Sequence, residues 1–375
     1  MATQSGRVGI LIVVGALTAG FAVDSTEATA AADPALEAQL VVYEINRARR
    51  SPAQFAAAAG LELPADLLPR PAVALNESLR ASARFKANEM AEFDYFAHQS
   101  QATGKWPNQL ARDAGYPLPA WWSSDANFIE SLNSGTADPS LVVSSFAGSP
   151  SHRRHIFGEG TFALYGEVGV GRSDSSNYWA VHTAMRGAPL LFVTGVVFSD
   201  DDGDGRLDLG EGLAGITIDV DGQTVETNAG GGYAMAVTDG FHTISATGPG
   251  LEGAPSAGFT VSGFNVGADF VSGSAPIVLP YALCAGLEPT ILGTDGPDVL
   301  VGTDGPDVIH GFGGDDVISG LGGDDVICGD RGRNTIDGGP GRDRLFGDHQ
   351  GHGIIEDGLG SDRCGTALRR SSCAI

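Results

Sequence analysis

The chain has 375 residues, with 22 Lys and Arg against 46 Asp and Glu, a formal charge of −24, and 55 glycines. That length predicts two or three domains and excludes a single packed core. The acid excess excludes a nucleic-acid partner, because phosphate binding depends on clustered Lys and Arg, and it suits bound cations, calcium first among them.

At the start, Arg7 precedes the apolar run Val8 to Val23 and the small-residue stretch Ala28-Thr29-Ala30-Ala31-Ala32. That is the order of a secretory signal, with cleavage after Ala30 or Ala32. Gly9, Gly15 and Gly20 interrupt the run and no basic stop-transfer flank follows. Residues 1–32 are therefore read as a removed signal, leaving a secreted or cell-surface chain with no transmembrane anchor. All four cysteines, Cys284, Cys328, Cys364 and Cys373, fall near the other end. An even number in an exported chain points to disulfides, with three connectivities open. The favoured one pairs Cys364 with Cys373 as a clamp on the tail and Cys284 with Cys328 as a staple on the repeat array.

A first domain is expected over residues 36–187. Leu36, Leu40 and Tyr43 follow the spacing of a buried helical stripe, closed by Ser51-Pro52. Leu79, Ala83, Ala87 and Met90 repeat it after Asn76, a good N-cap, so a second helix delivers His98 just beyond its end. Ser149-Pro150 starts a short helix on which His152 can point at a pocket while Ile156 anchors to the core. Residues 166–171 and 177–182 have the Gly-bounded alternation of strands. An α+β domain results. His155 is read as an exposed helix-end imidazole near the C-terminal dipole, and His182 as lying on the outer face of its strand.

Asn46, Arg49, His98, Glu130, the Ser149-Pro150-Ser151-His152 turn, Gly169-Val170-Gly171 and the aromatic strand from Tyr178 stand in an order that resembles the bacterial branch of the CAP superfamily, the cysteine-rich secretory, antigen 5 and pathogenesis-related proteins. The resemblance covers residues 36–187 and implies an α/β/α sandwich. It also implies a cleft, where many eukaryotic members hold a divalent metal with two His and two Glu. His98 and Glu130 match the first His and Glu, His152 stands in for the second imidazole, and Glu167 is the candidate to complete the set. The usual Glu-Asn pair reads Glu130-Ser131, which removes an amide that could hold the loop. Two neutral imidazoles and a carboxylate can bind zinc or another divalent metal, or hydrogen-bond to one another, and the sequence leaves both open. His-Glu-x-x-His and Gly-x-Ser-x-Gly are missing from the sequence.

In the second region, residues 188–279, a strand ending at Phe198 runs into Asp200-Asp201-Asp202-Gly203-Asp204-Gly205-Arg206-Leu207-Asp208-Leu209-Gly210-Glu211. Oxygen donors at Asp200, Asp202, Asp204 and Asp208, the backbone carbonyl of Arg206, a turn at Gly205 and a bidentate Glu211 fit the twelve-residue calcium loop. Strand-like segments at 216–220, 223–226, 233–237 and 242–246 flank it instead of helices. The region resembles the calcium-binding B repeats of bacterial adhesins, small β-sandwiches that act as stiff spacers.

From Gly293 onward glycine recurs every nine residues. Five places later stand Asp298, Asp307, Asp316, Asp325, Asn334 and Asp343, and two further on Leu300, Ile309, Ile318, Ile327, Ile336 and Leu345. Residues 285–375 thus resemble the calcium-binding nonapeptide repeats of the RTX family, which implies a parallel β-roll with calcium held by Gly-rich turns and the acids. Arg331, Arg333, Arg342 and His352 degrade the later units, so the early turns are expected to bind best.

These features fit an extracellular calcium-binding protein whose cleft takes a lipid, peptide or cell-wall ligand. A metal- or His/Glu-dependent hydrolase and a structural adhesin are the competing readings.

Overall fold

The computed structural model describes residues 33–279 except 65, 66, 68, 69 and 262, and then 284, 287, 289–293, 296–312, 314–329, 332–347, 354–356 and 363–364. The expected signal segment 1–32 and the expected Cys364–Cys373 pairing lie outside the described residues.

Helix α1 (Pro34–Arg50) starts where Asp33 Oδ1 accepts from Ala35 N, and it ends at Ser51 before α2 (Pro52–Ala59). After strand β1 (Ala74–Leu75), the Asn76 side chain accepts from Ser78 N and Leu79 N and opens α3 (Glu77–Glu92). There follow α4 (Pro107–Asp113), β2 (Glu130–Ser134), α5 (Val142–Ala147), α6 (Pro150–Phe157), β3 (Glu167–Arg172) and β4 (Tyr178–Ala184). Ser149 precedes α6 without capping it through its side chain, and its Oγ lies 3.1 Å from Ser151 Oγ. The strands form one sheet in the order β1-β3-β4-β2, with β1 parallel to β3 and the other pairs antiparallel.

Helices cover both faces of this sheet. Val168, Val170, Trp179 and Val181 share one core with Val41 and Ile45 of α1, Phe146 of α5, and Ile156 and Phe157 of α6. On the other face α3 lies directly on Gly169 and Gly171, where an added Cβ would collide with the backbone of Leu79 and Arg80 or of Ala83 and Arg84. The Gly-Val-Gly alternation is therefore a packing requirement: valine fills one face while glycine lets a helix backbone onto the other.

The first helix corrects an expectation. Leu40 and Tyr43 are buried, but against Val196, Phe198, Leu207 and Val271 of the next region, and Leu36 is only half-buried. The face toward its own sheet carries Val41, Val42, Ile45 and Ala48. Two faces of α1 are thus apolar, and the sequence pattern registered the one that belongs to the neighbouring module.

That module contains β5 (Leu191–Phe198), β6 (Thr217–Val220), β7 (Gln223–Glu226), β8 (Gly232–Val237), β9 (Gly240–Thr247), β10 (Ser256–Val261), β11 (Val266–Val271) and β12 (Ile277–Leu279). They form two four-stranded sheets, β10-β9-β6-β7 and β12-β11-β5-β8, antiparallel except for the β5–β11 pair. Val193, Ile218, Ile244, Phe259 and Phe270 meet in their common core.

Beyond it run short strands: β13 (Ile291–Leu292), β14 (Val299–Val301), β15 (Val308–His310), β16 (Val317–Ser319), β17 (Val326–Cys328), β18 (Thr335–Asp337), β19 (Arg344–Phe346), β20 (Ile354–Glu356) and β21 (Arg363–Cys364). Odd- and even-numbered strands make two parallel sheets, consistent with a β-roll. Ile309 pairs with Ile327 and Ile318 with Ile336, so each full turn advances by two nine-residue units. The later pairs Thr335–Ile354 and Arg344–Arg363 are one residue longer, so the repeat slips phase beyond Phe346. Ile309, Ile318, Ile327, Ile336 and Leu345 fill the interior as the spacing requires. Cys284 and Cys328 form the expected disulfide across a separation of 44 residues. The whole is mixed α+β with several sheets.

Candidate functional site

Sheet register sets the centre of the cleft that the resemblance implies. Strand β2 is an edge, and its pairing with β4 sets Glu130 opposite His182. Glu130, 1% exposed, receives His98 Nδ1 at 2.9 Å on Oε1 and His182 Nε2 at 2.9 Å on Oε2. Burial pushes the carboxyl pKa up, but the hydrogen bonds from His182 and His98, aided by the charges of His182 and Lys86, outweigh it and hold Glu130 below the ordinary value. An ionised carboxylate has only acceptors, so both imidazoles present N–H to it. The Nε2 atom of His98 is then turned away from Glu130, on a side chain 39% exposed.

Below the cleft, Ser82 Oγ lies 2.8 Å from His182 Nδ1 and 2.9 Å from the Leu79 carbonyl oxygen. Buried Lys86 donates to Tyr95 Oη at 2.7 Å; burial lowers its pKa, with Glu130 and Glu89 opposing. Asn127 supplies the amide that Ser131 cannot. Its Oδ1 accepts from Glu130 N at 2.8 Å and its Nδ2 donates to the Glu130 carbonyl at 3.1 Å, holding the strand start in place.

The other predicted residues divide. His152 is half-buried with its ring edge against Phe146, 5.2 Å between centroids; burial lowers its pKa, and the nearby charge of His98 lowers it further. It makes no hydrogen bond to Glu130 or His98 among the described residues. His155 is not the exposed helix-end imidazole expected. Its ring packs on Phe162 at 4.4 Å, Ser131 Oγ lies 3.4 Å from Nδ1, and burial, then His152 and His98, push its pKa down to about 4. Both imidazoles are neutral at physiological pH. Phe162 continues through Tyr165 to Trp122 and Phe128, forming an aromatic wall beside His155.

His182 corrects the outer-face expectation most directly: it is fully buried under α3. Its strand alternates Trp179 and Val181 with Ala180, His182 and Ala184, which reads as one wet face only if the sheet is covered on one side. Glu167 does not join the cleft. It accepts from Asn76 Nδ2 at 2.7 Å, Tyr116 Oη at 3.0 Å and, bidentately, Arg186 Nε and Nη2 at 2.5 and 2.9 Å. That is a structural ion pair. Among the described residues His98, Glu130 and His152 do not bring three ligand atoms within 4.8 Å of one another, so the geometry shows no zinc site here. Among the described residues, the metal-sized cluster is instead Asp200, Asp202 and Asp204, with ligand atoms within 4.8 Å of one another.

Those three carboxylates lie on the loop between β5 and β6. Gly203 and Gly205 take left-handed φ of 78° and 75°, which winds the loop tightly. Asp200 Oδ2 accepts from Gly205 N at 3.1 Å, while Asp200 Oδ1 is buried without a hydrogen-bond partner. Glu211 folds back over the loop and accepts from Asp201 N at 2.9 Å and Asp208 N at 2.8 Å. Burial, then the charges of Asp204 and Asp202, raise the Asp208 pKa. Crowded oxygens, an orphaned buried oxygen and a carboxylate lid fit calcium.

In the roll, each acid ties one turn to the next. Asp316 Oδ1 accepts from Asp298 N at 3.0 Å, Asp325 Oδ1 from Asp307 N at 2.8 Å and Asp343 Oδ1 from Asp325 N at 2.9 Å. The Oδ2 atoms of Asp316 and Asp325 are buried with no hydrogen-bond partner. Burial raises their pKa values to about 7 and about 6, against the opposing backbone bonds. Asp307 differs, because Thr303 N and Oγ1 satisfy its Oδ2 at 2.6 and 2.9 Å. Asp316 and Asp325 thus keep an orphaned buried oxygen that the earlier Asp307 lacks.

These sites define a mixed α+β chain ending in calcium-binding repeats. Residues 292–327 and 320–348 match the RTX calcium-binding nonapeptide repeat, in four copies, so the chain carries RTX repeats. Among solved structures it is similar to an extracellular protein containing an SCP domain from Bacillus anthracis, at 18% identity and a TM-score of 0.25, over 31% of this chain and 34% of that one. The chain thus spans about a third of that protein's length. It is also similar to an outer surface protein from Borrelia burgdorferi, at 18% identity and a TM-score of 0.28, over 41% of this chain and 96% of that one. No curated relative matches the chain. No helix among the described residues is long and apolar enough to cross a membrane.

Proposed function

We propose that this is a secreted calcium-binding protein whose first domain, of CAP type, takes a lipid, peptide or cell-wall ligand in the His98 cleft, while the loop and roll hold calcium and stiffen the rest. Buried aspartate oxygens without hydrogen-bond partners, Asp200 Oδ1 in the loop and the Oδ2 atoms of Asp316 and Asp325 in the roll, carry the calcium part of this reading. For the cleft, the support is a neutral, half-buried imidazole pair beside an aromatic wall, a lining that favours an apolar or amphipathic ligand over an ionic one. The domain limits proposed are 36–187, 188–279 and 285–375. Incubating the full secreted chain with lipid extracts, peptide libraries and cell-wall fragments, with and without calcium, tests the ligand. Binding that is lost in His98→Ala is the expected result, and equal binding by wild type and variant would remove the cleft from the account.

One observation favours hydrolysis as a second reading. His98 holds its Nδ1 on a buried carboxylate and keeps Nε2 open, the arrangement of a general base oriented by an acid. Turnover of an ester or peptide by the intact protein, abolished in Glu130→Gln, would select it.

A further inference from the structure

We propose that the 200–211 loop is a calcium-operated clamp on helix α1, so that filling the loop and docking the first domain are one equilibrium. This rests on reading that loop as a calcium site. Its acids cluster on one another, while two other residues of the loop grip the helix. Leu207, 3% exposed, sits among Leu40 and Tyr43 of α1 and Phe198 of β5, with the Tyr43 and Phe198 rings edge-on at 6.1 Å. Arg206 sends Nη2 to Glu44 Oε1 at 3.0 Å. Glu44 is almost wholly buried, and Arg47 Nη2 holds its other oxygen at 2.7 Å.

The rest of the junction is shaped for the same helix. Gly230 and Gly232 lie against the Gln39 side chain, where any Cβ would collide with it, and Asn228 Nδ2 donates to Gln39 Oε1 at 3.0 Å. Arg50 Nη2 reaches Asp269 Oδ2 at 2.7 Å. On its far side α1 packs through Val41 and Ile45 onto Ile156 and Phe157 of α6, the helix that carries His152 and His155. A single rigid element therefore lies between the calcium loop and the cleft.

The coupling follows from charge. Asp200, Asp202 and Asp204 within 4.8 Å of one another, with Asp208 adjacent, repel in the compact loop unless a cation sits among them. That same compact loop presents Leu207 and Arg206 to α1. Calcium stabilises both together, and the helix must in turn raise calcium affinity by the same factor.

Hydrogen exchange followed by mass spectrometry on the full chain, titrated with calcium alone, reads both partners. Segments 36–50 and 200–211 should gain protection at one calcium midpoint. Leu40→Ala, which touches no ligand, should raise the midpoint of the 200–211 segment roughly fivefold or more. Arg206→Ala serves if that variant fails to fold, because it leaves the backbone carbonyl in place. Removing a cation beside the acids would by electrostatics alone tighten calcium, whereas loss of the clamp weakens it, so the direction of the change decides. Protection of 200–211 with no response in 36–50, or a midpoint unchanged or lowered in the variants, overturns the clamp and leaves the calcium site standing. A 200–211 segment indifferent to calcium removes the site itself, and the clamp with it.

Discussion

Replacing Asp316 and Asp325 together by Asn should change the roll's stability in opposite directions with and without calcium. Asparagine keeps the Oδ1 acceptor that binds Asp298 N or Asp307 N and puts a neutral amide where the buried Oδ2 lies. In the ion-free roll, burial raises Asp316 from 3.8 to about 7 and Asp325 from 3.8 to about 6. A carboxyl whose folded pKa lies above its unfolded value lends stability below the unfolded value and loses it as pH rises through the folded one. The ion-free roll should therefore be firmest below about pH 4 and weaken up to about pH 7. At about 1.4 kcal/mol per pH unit, ionising both groups costs about 7 kcal/mol unscreened, and about 3.5 kcal/mol once solvent at the rim of the roll halves it. Scanning calorimetry of the full chain, with the Cys284–Cys328 bridge intact, follows the roll's transition. With chelator at neutral pH the double variant should melt above wild type, and acidification should bring wild type up to it. In calcium the order should reverse, because an amide cannot neutralise the cation. A variant that melts lower by the same amount in both conditions would refute the reasoning.

His182→Ala should cost about 3 kcal/mol in denaturant unfolding, since it strips one of two imidazole donors from a carboxylate buried at Glu130; a loss under about 0.5 kcal/mol, the ordinary surface effect, would deny that hydrogen bond its role. Gly169→Val should prevent α3 from seating and leave little folded first domain by circular dichroism, because the new Cβ meets the Leu79 and Arg80 backbone. Reducing Cys284–Cys328, which closes 44 residues, should lower the roll's stability by about 4 kcal/mol while the first domain's melting stays put.

The roll was the most legible part of the chain, because a nine-residue period fixes both the interior isoleucines and the acids of the turns at once. The clustering of Asp200, Asp202 and Asp204 was readable for the same reason: alternate oxygen donors around a glycine turn leave few other structures. The cleft was legible only in part. His98 and Glu130 could be paired from their places in the chain, but His182 could not, because strand alternation says which residues share a face and not whether that face is dry. Covering both faces is a property of α3, made possible by Gly169 and Gly171. The signal for it was in the sequence, as two glycines flanking Val170, and it bears on His182 through the register of β3 with β4. Leu40 and Tyr43 teach the converse: helical periodicity found a buried stripe, and its partner proved to be Leu207 on the 200–211 loop.

Counting calcium on the intact protein by native mass spectrometry addresses most directly the division of calcium between loop and roll. Wild type should carry several ions. Asp202→Ala with Glu211→Gln should lose one of them, and Asp316→Asn with Asp325→Asn should lose others while keeping the loop's ion. If both double variants retain the wild-type number of ions, calcium is not held where these carboxylates stand.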